Sequence, residues 1–179
     1  MKYSLDWLKE EMQKSDHHDY LFFWGHTQKE KGVIDKSCFS QWFPAPFEAD
    51  GILYHTAEHW MMAEKAKLFG DEEQFKNIIA TESPAKAKKA GRAVKNFDAS
   101  VWNEKCVEIV VKGNYYKFSQ HQDMKLFLLS SNSAVIVEAS PFDKIWGIGM
   151  KNYETDPFKW NGTNLLGFVL MEVRDLLKN

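Results

Sequence analysis

Two charged side chains stand where a core-facing helix should carry none. The stretch from Tyr54 to Asp71 has no Gly or Pro before Gly70, a Thr56 able to cap its start and Gly70 to end it. On a wheel at about 100° per residue, Ala57, Leu68, Met61, Lys65, Glu58, Phe69, Met62 and Ala66 take one half. His59, Ala63, Lys67, Trp60 and Glu64 take the other. Glu58 and Lys65 thus fall inside the apolar half, roughly two turns or about 10 Å apart. Charges there are costly unless paired or put to use. One arrangement is a buried ion pair bridged by a third group. The other is a cleft wall bearing an acid/base carboxylate and a lysine nucleophile.

A second group of candidates lies in Ala139-Ser140-Pro141-Phe142-Asp143-Lys144-Ile145-Trp146-Gly147-Ile148-Gly149-Met150. Ser-Pro, two glycines, a Trp and a carboxylate suit a structured loop where backbone comes close to a ligand. They equally suit an Asx-type turn built by Asp143, with Trp146 as a lid on the core. Arg92 ends a short helix rich in Lys86, Lys88 and Lys89 that starts at Ser83-Pro84. That face is either solvated or a phosphate contact. His17 and His18 are adjacent with no third ligand at metal spacing, so no metal site and no cofactor are expected.

These residues need elements to position them, and the 179-residue length suits one domain with a sizeable core. Net charge is −2, so electrostatic capture of nucleic acid is not implied, and such a substrate would be gripped locally. Aromatic residues make up 15%, with seven Trp, enough for some to line a ligand site. Cys38 and Cys106 read as free thiols of a reducing compartment. No signal peptide and no apolar run near 20 residues is present; a soluble, intracellular, cytoplasmic or nuclear monomer with no membrane partner is expected.

Along the chain, a Ser4-capped helix to about Lys14 precedes a polar break at residues 15–19. Tyr20-Leu21-Phe22-Phe23-Trp24 reads as a buried strand stopped at Gly25, and Cys38 to Phe43 as a second strand. After Pro44-Ala45-Pro46, the Asp50-Gly51 pair makes a hairpin turn into Ile52-Leu53-Tyr54. Asp71 caps a helix to Ala80. Ser100 caps a long helix, with Gly113-Asn114 placed to end or kink it. A short helix over 121–130, a strand over 134–138 and a last helix from Leu165 to Lys178 complete the pattern. The fold class is α+β, mainly α: one domain of packed helices with a small sheet, residues 20–179, behind an N-terminal helical extension, residues 1–19.

Several pieces now stand in order: Phe39-Ser40 with Pro44-Ala45-Pro46-Phe47; Gly51 to Tyr54; the Glu58–Phe69 helix; Gly91-Arg92; Trp102; and Lys117-Phe118. Glu138-Ala139-Ser140-Pro141 with Asp143, Ile145-Trp146-Gly147-Ile148-Gly149 and Trp160-Asn161-Gly162-Thr163-Asn164-Leu165-Leu166-Gly167 follow. From about residue 20 onward this resembles the NADAR, or YbiA-like, family. The resemblance implies a mainly helical fold and cleavage of N-glycosidic bonds of ribose-containing nucleotides. Known activities in that family are release of ribose 5-phosphate from aminopyrimidine intermediates of riboflavin synthesis and removal of ADP-ribose from guanine in nucleic acid.

With the resemblance, Lys65, Glu58 and Asp143 become the expected catalytic residues. Lys65 would attack the anomeric carbon and hold the sugar as a Schiff base, while Glu58 and Asp143 move protons. Trp24, Gly25, His26, Trp102, Trp146, Gly147, Arg92 and Asn164 are the expected substrate-binding set. The favoured substrate is ADP-ribosylated guanine in DNA, because Phe22, Phe23, Trp24, His26 and Trp42 offer more stacking surface than a monophosphate needs. Hydrolysis of phosphoribosylamino-pyrimidines is the competing reading, and a non-catalytic ADP-ribose reader is the alternative of another class.

Overall fold

The computed structural model describes residues 1–15, 17–151 and 153–178. The chain forms two compact units, Met1–Ser40 with Asp123–Asn179, and Gln41–Gln122.

In the first unit, helix α1 (Leu5–Lys14) starts at Ser4, whose hydroxyl accepts from the Trp7 N–H as expected of an N-cap. Strand β1 (Tyr20–Phe23) follows. The run from Cys38 that reads as a strand is instead a 3-10 turn, Lys36–Phe39. Asp35 drives it, since its carboxylate accepts from the Ser37 N–H and leaves Ser37, Cys38 and Phe39 all buried. Strand β4 (Val135–Glu138) pairs parallel with β1, Tyr20 against Val135 through Phe23 against Glu138. Parallel pairing places the C-terminal ends of both strands together, so Trp24-Gly25-His26 and the loop after Glu138 leave from the same edge. Only Phe23 of β1 is buried, whereas Val135, Ile136 and Val137 of β4 all are. The expectation of a buried β1 is therefore corrected: helix α7 (Leu165–Lys178) covers β4. Gly167 permits that approach, because a Cβ there would stand 2.0 Å from the Ile136 carbonyl oxygen. Buried Arg174 on α7 donates to Ser131 Oγ at 2.9 Å and to the Ala134 carbonyl at 2.8 Å, tying the turn before β4 to the helix.

In the second unit, β2 (Phe47–Ala49) and β3 (Ile52–Tyr54) form an antiparallel hairpin. Asp50 and Gly51 both have positive φ, 53° and 75°, as a tight two-residue turn demands. Among the described residues the strands form two two-stranded sheets, β1 with β4 and β2 with β3. Helix α2 (Ala57–Leu68) follows, then α3 (Glu72–Ile79), α4 (Pro84–Arg92) and α5 (Ala99–Gln120). Helix α6 (Gln122–Ser130) leads back to the first unit. Asp98, rather than Ser100, caps α5, accepting from the Ser100 and Val101 N–H groups.

Helix α5 continues through Gly113-Asn114 for 22 residues. Both residues serve packing instead of ending it. A Cβ at Gly113 would stand 2.2 Å from Trp60 Cδ1, and buried Asn114 bonds to Gln41 and to the Val110 carbonyl. Helix α2 is not amphipathic: residues 57 to 63 are all buried, including His59 and Trp60 from the expected polar half. It packs against α3, α4 and α5, so it has no solvent side over its first two turns. No helix among the described residues is long and apolar enough to cross a membrane.

Candidate functional site

The candidate residues divide between the two units. In the second unit, α2 carries Glu58 and Lys65 on one side, two turns apart. Glu58 is 4% exposed and lies in the first turn, where the helix dipole favours a carboxylate. Its backbone N–H donates to the Gln41 carbonyl at 2.9 Å. Gln41 is itself fixed by its buried amide pair with Asn114, 3.0 Å from Nε2 to Oδ1. The start of α2 is thereby locked to the middle of α5.

Lys65 sits near the far end of α2, half-buried. Its Nζ lies 4.1 Å from the Phe97 ring centroid and 5.6 Å from that of Trp102. Among the described residues no carboxylate stands within 4.0 Å of it, so Lys65 is not half of a Glu58 ion pair. Burial lowers its pKa from the ordinary lysine value, and the positive charge of Arg92 lowers it further. Ring faces attract an ammonium, yet they release its proton more readily than a carboxylate partner does. Arg92 at the end of α4 and Trp102 in the first turn of α5 are thus brought to Lys65, together with Phe97. Phe97 is a residue the sequence reading missed, because it sits in the connection before α5 and belongs to no periodic pattern.

Lys117 was missed as a site candidate as well. It is fully buried on α5, its Nζ 5.2 Å from the Phe118 centroid and 5.8 Å from that of Phe43. Its signal was present in the sequence: Val110, Gly113, Asn114, Lys117 and Phe118 form one buried stripe at helical spacing. His59, also buried, is held as a neutral ring. Its Nδ1 is 2.8 Å from Thr56 Oγ1 and its Nε2 2.9 Å from the Thr81 carbonyl, and burial lowers its pKa.

In the first unit the loop after β4 gathers Asp143, Trp146, Gly147 and Asn164. Asp143 Oδ1 accepts from the Ile145 N–H at 2.9 Å and the Trp146 N–H at 2.7 Å, the Asx-turn arrangement. The Gly147 carbonyl accepts from the Asn164 N–H at 3.1 Å. A Cβ at Gly147 would stand 2.8 Å from the Glu138 carbonyl oxygen, so a glycine is needed to fold the loop back on β4. Asn164 is fully buried, with its side chain bonded at both ends to β4: Oδ1 to the Glu138 N–H and Nδ2 to the Ile136 carbonyl, each 2.9 Å. Its amide therefore shapes the loop. Trp24 is 49% exposed beside Phe142, Gly25 turns the chain with φ 82°, and His26 is exposed. No group of three or more His, Cys, Asp or Glu among the described residues could hold a metal.

Seven helices with two short strand pairs among the described residues define a mainly α protein. Residues 22–178 match the NADAR domain model, and the chain belongs to the NADAR family. N-glycosidase R617 of Acanthamoeba polyphaga mimivirus is 43% identical over 164 residues, covering 87% of this chain and 95% of that protein. N-glycosidase YbiA of Escherichia coli strain K12 is 32% identical over 143 residues, covering 80% and 81%. The NMR structure of E. coli YbiA shares the fold, with TM-score 0.69 and 27% identity over 90% of this chain and 87% of that one. Caenorhabditis elegans protein irg-1 is 32% identical over 158 residues, 78% of this chain and 74% of that protein.

Proposed function

We propose that this chain is an N-glycosidase that removes ADP-ribose from guanine bases of nucleic acid, with Lys65 as its nucleophile. The observation that carries the reading is the state of that amine. Lys65 is half-buried on two ring faces, with its pKa lowered by burial and by Arg92 and, among the described residues, no carboxylate in ion-pair reach. The N-glycosidase names of the mimivirus and bacterial relatives support the reaction class.

The chemistry follows from the bond to be broken. Neutral Nζ attacks the anomeric carbon of the ring-opened ribose, a C–N bond to lysine forms, and the bond to the base breaks. The departing base nitrogen takes a proton from Glu58, leaving the sugar as an imine on Lys65. Water adds to the imine, releasing ADP-ribose and restoring the amine. Trp102 stacks on the base or excludes water, and Arg92 contacts phosphate.

Incubating the protein with a guanine-ADP-ribosylated oligonucleotide beside a phosphoribosylamino-pyrimidine tests the substrate. Released ADP-ribose with restored guanine supports the reading. Ribose 5-phosphate from the pyrimidine alone replaces it with the competing one. Binding without product, surviving loss of both Lys65 and Glu58, makes the protein a reader.

A further inference from the structure

Strand β1 sets Tyr20, Phe22 and, just past its end, Trp24 at alternate positions, about 6.6 Å apart along the chain. Phe23, between them, is fully buried, whereas Tyr20 and Phe22 are only half-buried and Trp24 is 49% exposed. Other exposed rings extend this face. Tyr153, 69% exposed, lies 5.2 Å from Phe22, and Phe142, 88% exposed, lies 6.5 Å from Trp24. A cation accompanies each pair: Lys36 Nζ is 5.4 Å from the Tyr153 centroid and Lys151 Nζ 5.7 Å from that of Trp24. At the other end Tyr20 stacks on Phe22 at 5.7 Å, donates its hydroxyl to Met12 Sδ and feels the charge of Asp156. That end is closed to an anion. The open stretch runs from Phe22 and Tyr153 to Trp24 and Phe142, and it leads into Gly25-His26 and Asp143.

Half-buried and exposed rings running off the end of a strand, with an ammonium beside one ring of each pair, match one partner chemistry well. Bases stack on rings whatever their identity, and the lysines meet the phosphates between them. We infer that this stripe is a stacking track for unpaired nucleobases, so the partner is single-stranded nucleic acid. The inference rests on the glycosidase reading for its purpose, not for the binding itself. It accords with a net charge of −2, since stacking and not a basic surface supplies the grip.

The test is fluorescence anisotropy with a short labelled, unmodified oligothymidylate and a blunt duplex of matched length. The single strand should bind more tightly than the duplex. Trp24→Ala with Phe142→Ala should weaken single-strand binding by about fivefold or more, the low end for loss of a base stack. The log–log salt slope should be about −1.4 for two lysine contacts and about −0.7 in Lys151→Ala. If Trp24→Ala proves unstable, Phe142→Ala and Tyr153→Ala carry the same test, because both rings are largely exposed. Equal affinity for duplex, unchanged affinity in the variants, or no binding overturns the track. The probe carries no ADP-ribose and no bond to cut, so failure of the glycosidase reading leaves this result unmoved. Failure of the track likewise leaves the glycosidase reaction standing.

Discussion

Replacing Gly113 by Ala should destabilise the protein, although the same change on an open helix stabilises it. At an ordinary helix position Ala is worth about 1 kcal/mol over Gly. Here the new Cβ would lie 2.2 Å from Trp60 Cδ1 and 2.7 Å from Nε1. Carbon contacts are comfortable at about 3.5 Å, so the indole must retreat by roughly 1.3 Å. It has no room to do so. Tyr54, Tyr116 and Phe47 surround it at centroid distances of 5.1, 5.5 and 6.3 Å, and its N–H donates to the Ile109 carbonyl at 2.8 Å. Overpacking costs about 1–3 kcal/mol and a lost hydrogen bond about 0.5–1.5 kcal/mol. After the propensity gain of about 1 kcal/mol, the net loss is about 0.5–3.5 kcal/mol, at roughly 2–4 °C in Tm per kcal/mol. Urea unfolding of the wild type, Gly113→Ala, Trp60→Phe and the double variant measures it. The penalty should shrink in the Trp60→Phe background, where the smaller ring leaves space. A Gly113→Ala protein as stable as the wild type, or more so, refutes this account of why α5 carries a glycine in its middle.

Three further outcomes follow from the site. His59 is buried neutral, its pKa lowered, so the unfolded chain binds the proton more tightly than the folded one. Its contribution is complete above the unfolded value of about 6.5 and is lost as pH falls below it; urea midpoints should drop more steeply from pH 7 to pH 5 in the wild type than in His59→Gln. Arg92→Gln removes a cause of the lowered Lys65 pKa, so the alkaline rise in kcat should move to higher pH and kcat at neutral pH should fall, as a pH–rate series at saturating substrate will read. Asn164→Ala removes the side-chain acceptor for the Glu138 N–H and the side-chain donor to the buried Ile136 carbonyl, and chemical denaturation should show a loss of about 2–4 kcal/mol. A residue acting only on substrate would raise KM at unchanged stability.

Much of the architecture was legible because local chemistry specifies it. Ser4, Thr56, Asp71 and Ser83 cap where the sequence places caps, Asp50-Gly51 turns the hairpin, and α7 has the expected bounds. What sequence could not supply was long-range. Pairing of β1 with β4 joins residues more than a hundred positions apart, and nothing local distinguishes an exposed β1 from a buried one. Gly113 reads as a helix stop until Trp60 is seen against it. The wheel placed Glu58 and Lys65 on one side of α2 correctly but treated the other side as wet, which fails for a helix packed all round. Phe97 could be found only by folding the chain, because it reaches Lys65 from a connection between helices.

The central claim is that the Lys65 amine bonds to the sugar. Borohydride added during turnover of the guanine-ADP-ribosylated oligonucleotide, followed by peptide mass mapping, tests it most directly. A reduced adduct should appear on the Lys65 peptide and be absent from Lys65→Arg, which should stay folded and inactive. An adduct on Lys117, or normal turnover by Lys65→Ala, would contradict it.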